Sequence, residues 1–123
     1  RNAVWKNDLR GGNWLPASPM LMCGGAQDPT VFFSVNTGTM QAFWAALPPG
    51  LISVLDVNGT PAGPFALLQG AFQQSQADEF AFLQTAAGGS LSPQQAQAAL
   101  VQNYHEAVAP FCTVAARGFF SAF

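Results

Sequence analysis

Two hydrophobic periods alternate along this chain. Met20, Leu21, Met22 and Cys23 form a short unbroken apolar run between Pro19 and the pair Gly24-Gly25. A run this short, closed by glycines, predicts a strand buried on both faces, as strands of parallel sheets are. The period then changes. Met40, Phe43, Trp44 and Leu47 recur every three or four positions, which predicts a helix over 36–47 with one apolar face. Pro48-Pro49-Gly50 stops it. Leu51, Ile52, Val54, Leu55 and Val57 are dense in branched side chains and predict a second strand over 51–57. Strand, turn, helix and strand make a βαβ unit, so the expected class is α/β, with two parallel strands and flanking helices.

Beyond the turn Asn58-Gly59-Thr60-Pro61, the segment 62–103 is rich in Ala and Gln. It predicts a helix over 64–86, softened by Gly70, and a loop at Gly88-Gly89-Ser90. Ser92-Pro93 supplies an N-cap and a first-turn proline for a second helix, to about residue 101. Tyr104-His105-Glu106 is expected in a loop, because Pro110 is better placed in the first turn of a new helix than inside one. Glu106 is expected to shape that first turn. Phe111, Cys112, Ala115, Phe119 and Phe123 form the apolar stripe of this last helix. Residues 1–18, with Gly11-Gly12 and Pro16, read as a connector. The chain is expected to be a single segment over 1–123, with 58–103 as a helical insert.

Composition narrows the picture. The chain has 123 residues, of which 50% are hydrophobic and only 8% charged. An ordinary soluble domain carries about 25% charged residues. Gln accounts for part of the shortfall; the rest points to apolar surface meant to be covered. Phe32, Phe33, Phe43, Trp44, Phe80 and Phe82 need more apolar surroundings than a domain this small readily supplies. This predicts exposed apolar sheet edges, and with them association with a further segment or with a second copy of the chain. With four basic residues and a net charge of −2, nucleic-acid binding is not expected. No apolar stretch reaches the ~18 residues of a membrane span. Arg1 is expected to be an internal or processed start, since the first residues do not make a signal peptide. Cys23 and Cys112 permit a single disulfide or two buried thiols, and a chain poor in Lys suits an exported, disulfide-bonded protein.

The chemistry-bearing residues are few. Asp28 follows the first strand directly, in Ala26-Gln27-Asp28-Pro29-Thr30, and Pro29 biases it toward extended backbone. Ligands of open α/β sheets bind at that carboxyl end of the strands. His105 is the only histidine. Brought together, an Asp and a His form the acid and base of a nucleophile–base–acid relay. The acid fixes the imidazole tautomer, and the imidazole takes the nucleophile's proton. Each residue alone has a plainer reading: Asp28 as a turn residue bonding its own backbone, His105 as a structural or surface group. Asp56, near the end of the second strand, is the rival acid. Cys112 beside His105 could serve as a nucleophile, but its place in the apolar stripe argues for burial. The two cysteines with one histidine do not make a metal site. No cofactor-binding motif is present.

The segment Pro19-Met20-Leu21-Met22-Cys23-Gly24-Gly25-Ala26-Gln27-Asp28-Pro29-Thr30-Val31 resembles the α/β-hydrolase region in which a strand ends in glycine and an acid-bearing loop. The helix and strand that follow resemble the family's next helix and last strand. His105 before an amphipathic helix resembles its catalytic histidine, in the family's order of Ser, Asp, His. The likeness covers about three-quarters of the chain and is nearest to secreted lipases and esterases. It implies Asp28 as triad acid, His105 as base, a carboxylic ester as substrate (lipid-like or aromatic) and a secreted or periplasmic location. The sequence departs from the family twice. The stretch from Asn58 to Tyr104 intervenes before the histidine, where it would serve as a lid. No Gly-x-Ser-x-Gly elbow is present, so the nucleophile is expected from an upstream segment. A peptidase of the same fold and a non-catalytic α/β binding or assembly module are the alternatives.

Overall fold

The computed structural model describes residues 14–85 and 91–122. The first part of the expected connector, the loop at 88–90 and Phe123 lie outside these residues. Among the described residues the fold is mixed α/β, with two parallel strands and three helices. In chain order these are β1 (Met20–Gly24), α1 (Thr37–Phe43), β2 (Ile52–Asp56), a 3-10 turn at Gly63–Phe65, α2 (Ala66–Thr85) and α3 (Pro93–Phe120). The strands pair in parallel from Met20 with Ile52 through to Gly24 with Asp56. That register brings both carboxyl ends level, so the loops after β1 and β2 meet.

Three elements form close to where the residue pattern puts them, and two do not. Helix α1 is shorter than the 36–47 expected. Beyond Phe43 the backbone loosens into turns, with Ala45 N–H donating to the Ala42 carbonyl and Leu47 N–H to that of Trp44. Leu47 precedes Pro48, and a residue before proline is disfavoured in helical backbone. Trp44 still buries its ring.

The second difference is larger. The expected break between residues 101 and 110 is absent, and α3 runs unbroken from Pro93 to Phe120 with Pro110 inside it. An interior proline costs ~3 kcal/mol. The buried row Ala96, Leu100, Tyr104, Val108 and Ala115 spans both sides of it. Large apolar side chains contribute about 1.5–3 kcal/mol each on burial, so the continuous stripe outweighs the proline. Glu106 and Pro110 are both exposed. The helix start is as expected: the Ser92 hydroxyl accepts from Gln95 N–H at 3.3 Å, and the Gln95 side chain accepts from Ser92 N–H at 2.9 Å.

The core gathers Leu55 and Val57 from the β2 region, Phe72 from α2, and Tyr104, Val108 and Ala115 from α3. The Phe72 ring meets Tyr104 and Phe111 edge-on, at centroid distances of 5.6 and 5.1 Å. Phe72 is wholly covered, so the 58–103 stretch is built into the core through α2. Cys23 on β1 and Cys112 on α3 are joined in a disulfide with a Cα–Cα distance of 5.6 Å. Of the two readings open for the cysteines, the bonded one describes the structure. Among the described residues, no helix is long and apolar enough to cross a membrane.

Candidate active site

Strand β1 ends in two glycines, and the second sets the site. A Cβ on Gly25 would lie 2.6 Å from Tyr104 Cε1 and 2.9 Å from Val108 Cγ2. Only a glycine lets α3 lie this close to the strand end. Tyr104 is anchored inward at that contact. Successive helical residues point about 100° apart, so His105 is carried to the rim beside the loop after β1. His105 thus sits on α3, not in a loop, and Glu106 lies in mid-helix, not in a first turn.

The Asp28 carboxylate divides its two oxygens between two tasks. Oδ1 accepts from the backbone N–H groups of Thr30 and Val31 at 2.8 and 2.9 Å. This is the turn role of an Asp before proline. Oδ2 lies 2.7 Å from His105 Nδ1. The plain reading and the chemical reading of Asp28 therefore hold together. The turn bonds orient the carboxylate, and the imidazole is the partner of the oxygen left over. Asp28 is covered, whereas the His105 side chain is about half exposed, 4% against 49% accessible.

The electrostatics agree with this division. Burial alone would push the Asp28 carboxyl up. The His105 bond, the Val31 and Thr30 N–H groups and the nearby imidazole charge together outweigh it and hold the carboxyl below its ordinary 3.8. Asp28 is thus ionised at neutral pH and can only accept. The proton of a neutral His105 must then sit on Nδ1, donating to Oδ2. Nε2 keeps its lone pair and makes no hydrogen bond among the described residues. A half-exposed imidazole held in this tautomer is suited to accept a proton from a group approaching from solvent or from a further segment.

Asp56, the rival acid, has another task. Its Oδ1 accepts from Ala26 N–H at 2.9 Å and from Asn58 N–H at 3.0 Å. It ties the loop that carries Asp28 to the end of β2. Gln69, itself buried, braces the same point, with Nε2 donating to the Asp56 carbonyl and Oε1 accepting from Ala62 N–H, both at 3.0 Å. Cys112 is bonded to Cys23 and has no thiol to offer as a nucleophile. Tyr104 is buried, which pushes its hydroxyl above the usual 10.0 against the opposing pull of the Gln27 backbone and the Asn58 side chain. That hydroxyl stays neutral.

A cleft of about 350 Å³ opens where the loops after both strands meet α2 and α3; it is lined by Gln27 and Tyr104, the chain neighbours of Asp28 and His105, and not by the pair itself. Gln27 and Asn58 form its floor, and α2 and α3 its walls. A second, apolar cavity of about 690 Å³ lies away from the pair, near Ser53 of β2, between Phe65, Leu68, Val114 and Phe119. Residue order alone gave no sign of either. It also missed the constraint at Gly25 and the bracing by Asp56 and Gln69. The only available signals were that Tyr104 adjoins His105 and that Gln27 adjoins Asp28. Comparison with known protein families, curated proteins and solved structures finds no match for this chain.

Proposed function

We propose that this chain is the acid–base portion of a serine hydrolase acting on carboxylic esters, of lipase or esterase type. Asp28 is the acid and His105 the base. The nucleophilic serine and the oxyanion donors come from a segment outside these residues. His105 Nε2 takes the serine proton as the serine oxygen adds to the ester carbonyl. When the carbon–oxygen bond to the alcohol breaks, the same nitrogen returns that proton to the leaving oxygen. Water then repeats the sequence and frees the acid. The supporting observation is the Asp28 Oδ2 to His105 Nδ1 contact of 2.7 Å, with the other carboxylate oxygen held by two backbone N–H groups.

Two further features favour a larger assembly. Among the described residues each strand has one hydrogen-bonded neighbour, leaving the outer edges of the sheet unpaired by them. Phe32, Val35, Phe43 and Phe82 are exposed. The preceding sheet of a hydrolase would cover such surface, as would a second copy of this chain. The disulfide favours a secreted or periplasmic setting, since such bonds persist in oxidising compartments. A non-catalytic module remains the second reading, favoured by the turn bonds of Asp28, which would be made without any chemistry. Hydrolysis of p-nitrophenyl butyrate by the protein carrying this chain separates the two. His105→Ala is expected to lower kcat by about 10⁶-fold with folding intact. Unchanged hydrolysis would leave the binding module standing.

A further inference from the structure

We infer that the cleft between α2 and α3 holds the alcohol half of the ester, and that this alcohol is uncharged and bears further hydroxyl groups. The inference rests on the proposed hydrolase reading and names its substrate class. Position comes first. Val101 lines the cleft and precedes His105 by one turn on the same row of α3, where residues four apart are neighbours. The base that returns a proton to the leaving oxygen must stand on the alcohol side of the scissile bond. A cleft that shares a helix face with that base is where the alcohol projects.

The lining sets the chemistry. The cleft volume of about 350 Å³ is at the lower end of small-molecule sites, which run from ~300 to 1,000 Å³. None of its lining side chains is charged, so a carboxylate or ammonium would be desolvated there without a counter-charge. Apart from the Tyr104 hydroxyl, the polar side chains are primary amides, with Gln27 from the β1 loop, Gln76 from α2 and Gln97 from α3 all lining the cleft. Each offers both a donor and an acceptor, the complement of a hydroxyl, which also does both. Gln73 is already committed through its N–H to the Gly59 carbonyl at 2.9 Å, so its amide is a strut. The side-chain amides of Gln76 and Gln97 make no hydrogen bond to other described residues. Phe80 and Leu100 supply apolar surface for a short carbon skeleton.

The test is a binding titration that needs no nucleophile. Glyceryl monobutyrate, methyl butyrate and the cationic ester butyrylcholine are titrated into the ¹⁵N-labelled chain, and the side-chain amide signals of Gln27, Gln76 and Gln97 are followed. Glyceryl monobutyrate is expected to shift them saturably, with methyl butyrate and butyrylcholine about tenfold weaker or worse, the net worth of two hydrogen bonds. Gln76→Leu combined with Gln97→Leu is expected to abolish that preference while the His105 signals stay in place, which shows that the fold survives. Equal response to all three esters, or shifts scattered away from the cleft, overturns the assignment. If the titration fails while hydrolysis still depends on His105, the subsite alone falls. If hydrolysis is independent of His105, the hydrolase reading falls whatever the titration gives.

Discussion

Replacing Cys23 and Cys112 together by serine is expected to lower the free energy of unfolding by about 4–5 kcal/mol. The bridge spans a sequence separation of 89 residues. In the chain-entropy account, opening a loop of that length releases about 4.6 kcal/mol of conformational freedom in the unfolded chain. A domain's whole stability is ~5–15 kcal/mol, so the variant should be barely folded at ambient temperature. The effect reaches the site as well, because Cys23 lies on the strand leading to Asp28 and Cys112 on the helix carrying His105. Urea unfolding of the wild type with and without reductant, beside the double variant, measures it. The reduced wild type and the variant should unfold at the same, much lower midpoint. A midpoint unmoved by reduction would mean that helix–sheet packing alone holds α3 to β1.

Asp28→Asn should separate the two tasks of this residue. The asparagine oxygen can still accept from Thr30 and Val31 N–H, so the turn should survive, with neutral-pH stability lowered only by the portion that the ionised carboxylate contributes. The amide nitrogen now faces His105 and can only donate. Nδ1 must then accept, which moves the imidazole proton to Nε2, where it blocks the base. In the proposed hydrolase the loss in kcat is about 10⁴-fold, as expected for a relay held in the wrong tautomer. The acid limb of stability should change too. The folded carboxyl titrates below its ordinary 3.8. The stability it contributes is therefore present above the unfolded value, about 3.9, and is lost as pH falls through the folded value. The Asn variant should lack that portion of the acid transition. Full activity in the Asn variant would remove Asp28 from any relay.

Much of this architecture was legible in the residues. The apolar run ending at Gly24 and the branched run from Leu51 gave both strands and their parallel class, although β1 was expected to be fully buried and is only half-buried along its length. Ser92-Pro93 gave the start of α3 because capping is local chemistry. Asp28 and His105 could be paired by their order and by the place of Asp28 after β1, although His105 was expected in a loop and lies within α3. What was not legible depended on tertiary contact. Pro110 argued for a helix start, and only the buried row from Ala96 to Ala115 reveals why the helix continues through it. Asp56 stood as the rival acid, second to Asp28. The register that levels the strand ends makes it a brace for Ala26 N–H instead. Gly25 read only as the close of the first strand, yet its place is set by Tyr104 and Val108, residues far along the chain. The cleft is formed by side chains from four separate segments, which no local pattern joins.

The central claim is that Asp28 holds His105 as a base with Nε2 unprotonated. Long-range ¹H–¹⁵N correlation of the ¹⁵N-labelled chain reads it directly, since the single histidine gives one set of ring signals. At a pH where the imidazole is neutral, the account predicts a protonated Nδ1, with its proton strongly downfield, and an unprotonated Nε2, both reversed in Asp28→Asn. An Nε2-protonated ring in the wild type, or a spectrum indifferent to Asp28→Asn, would contradict it.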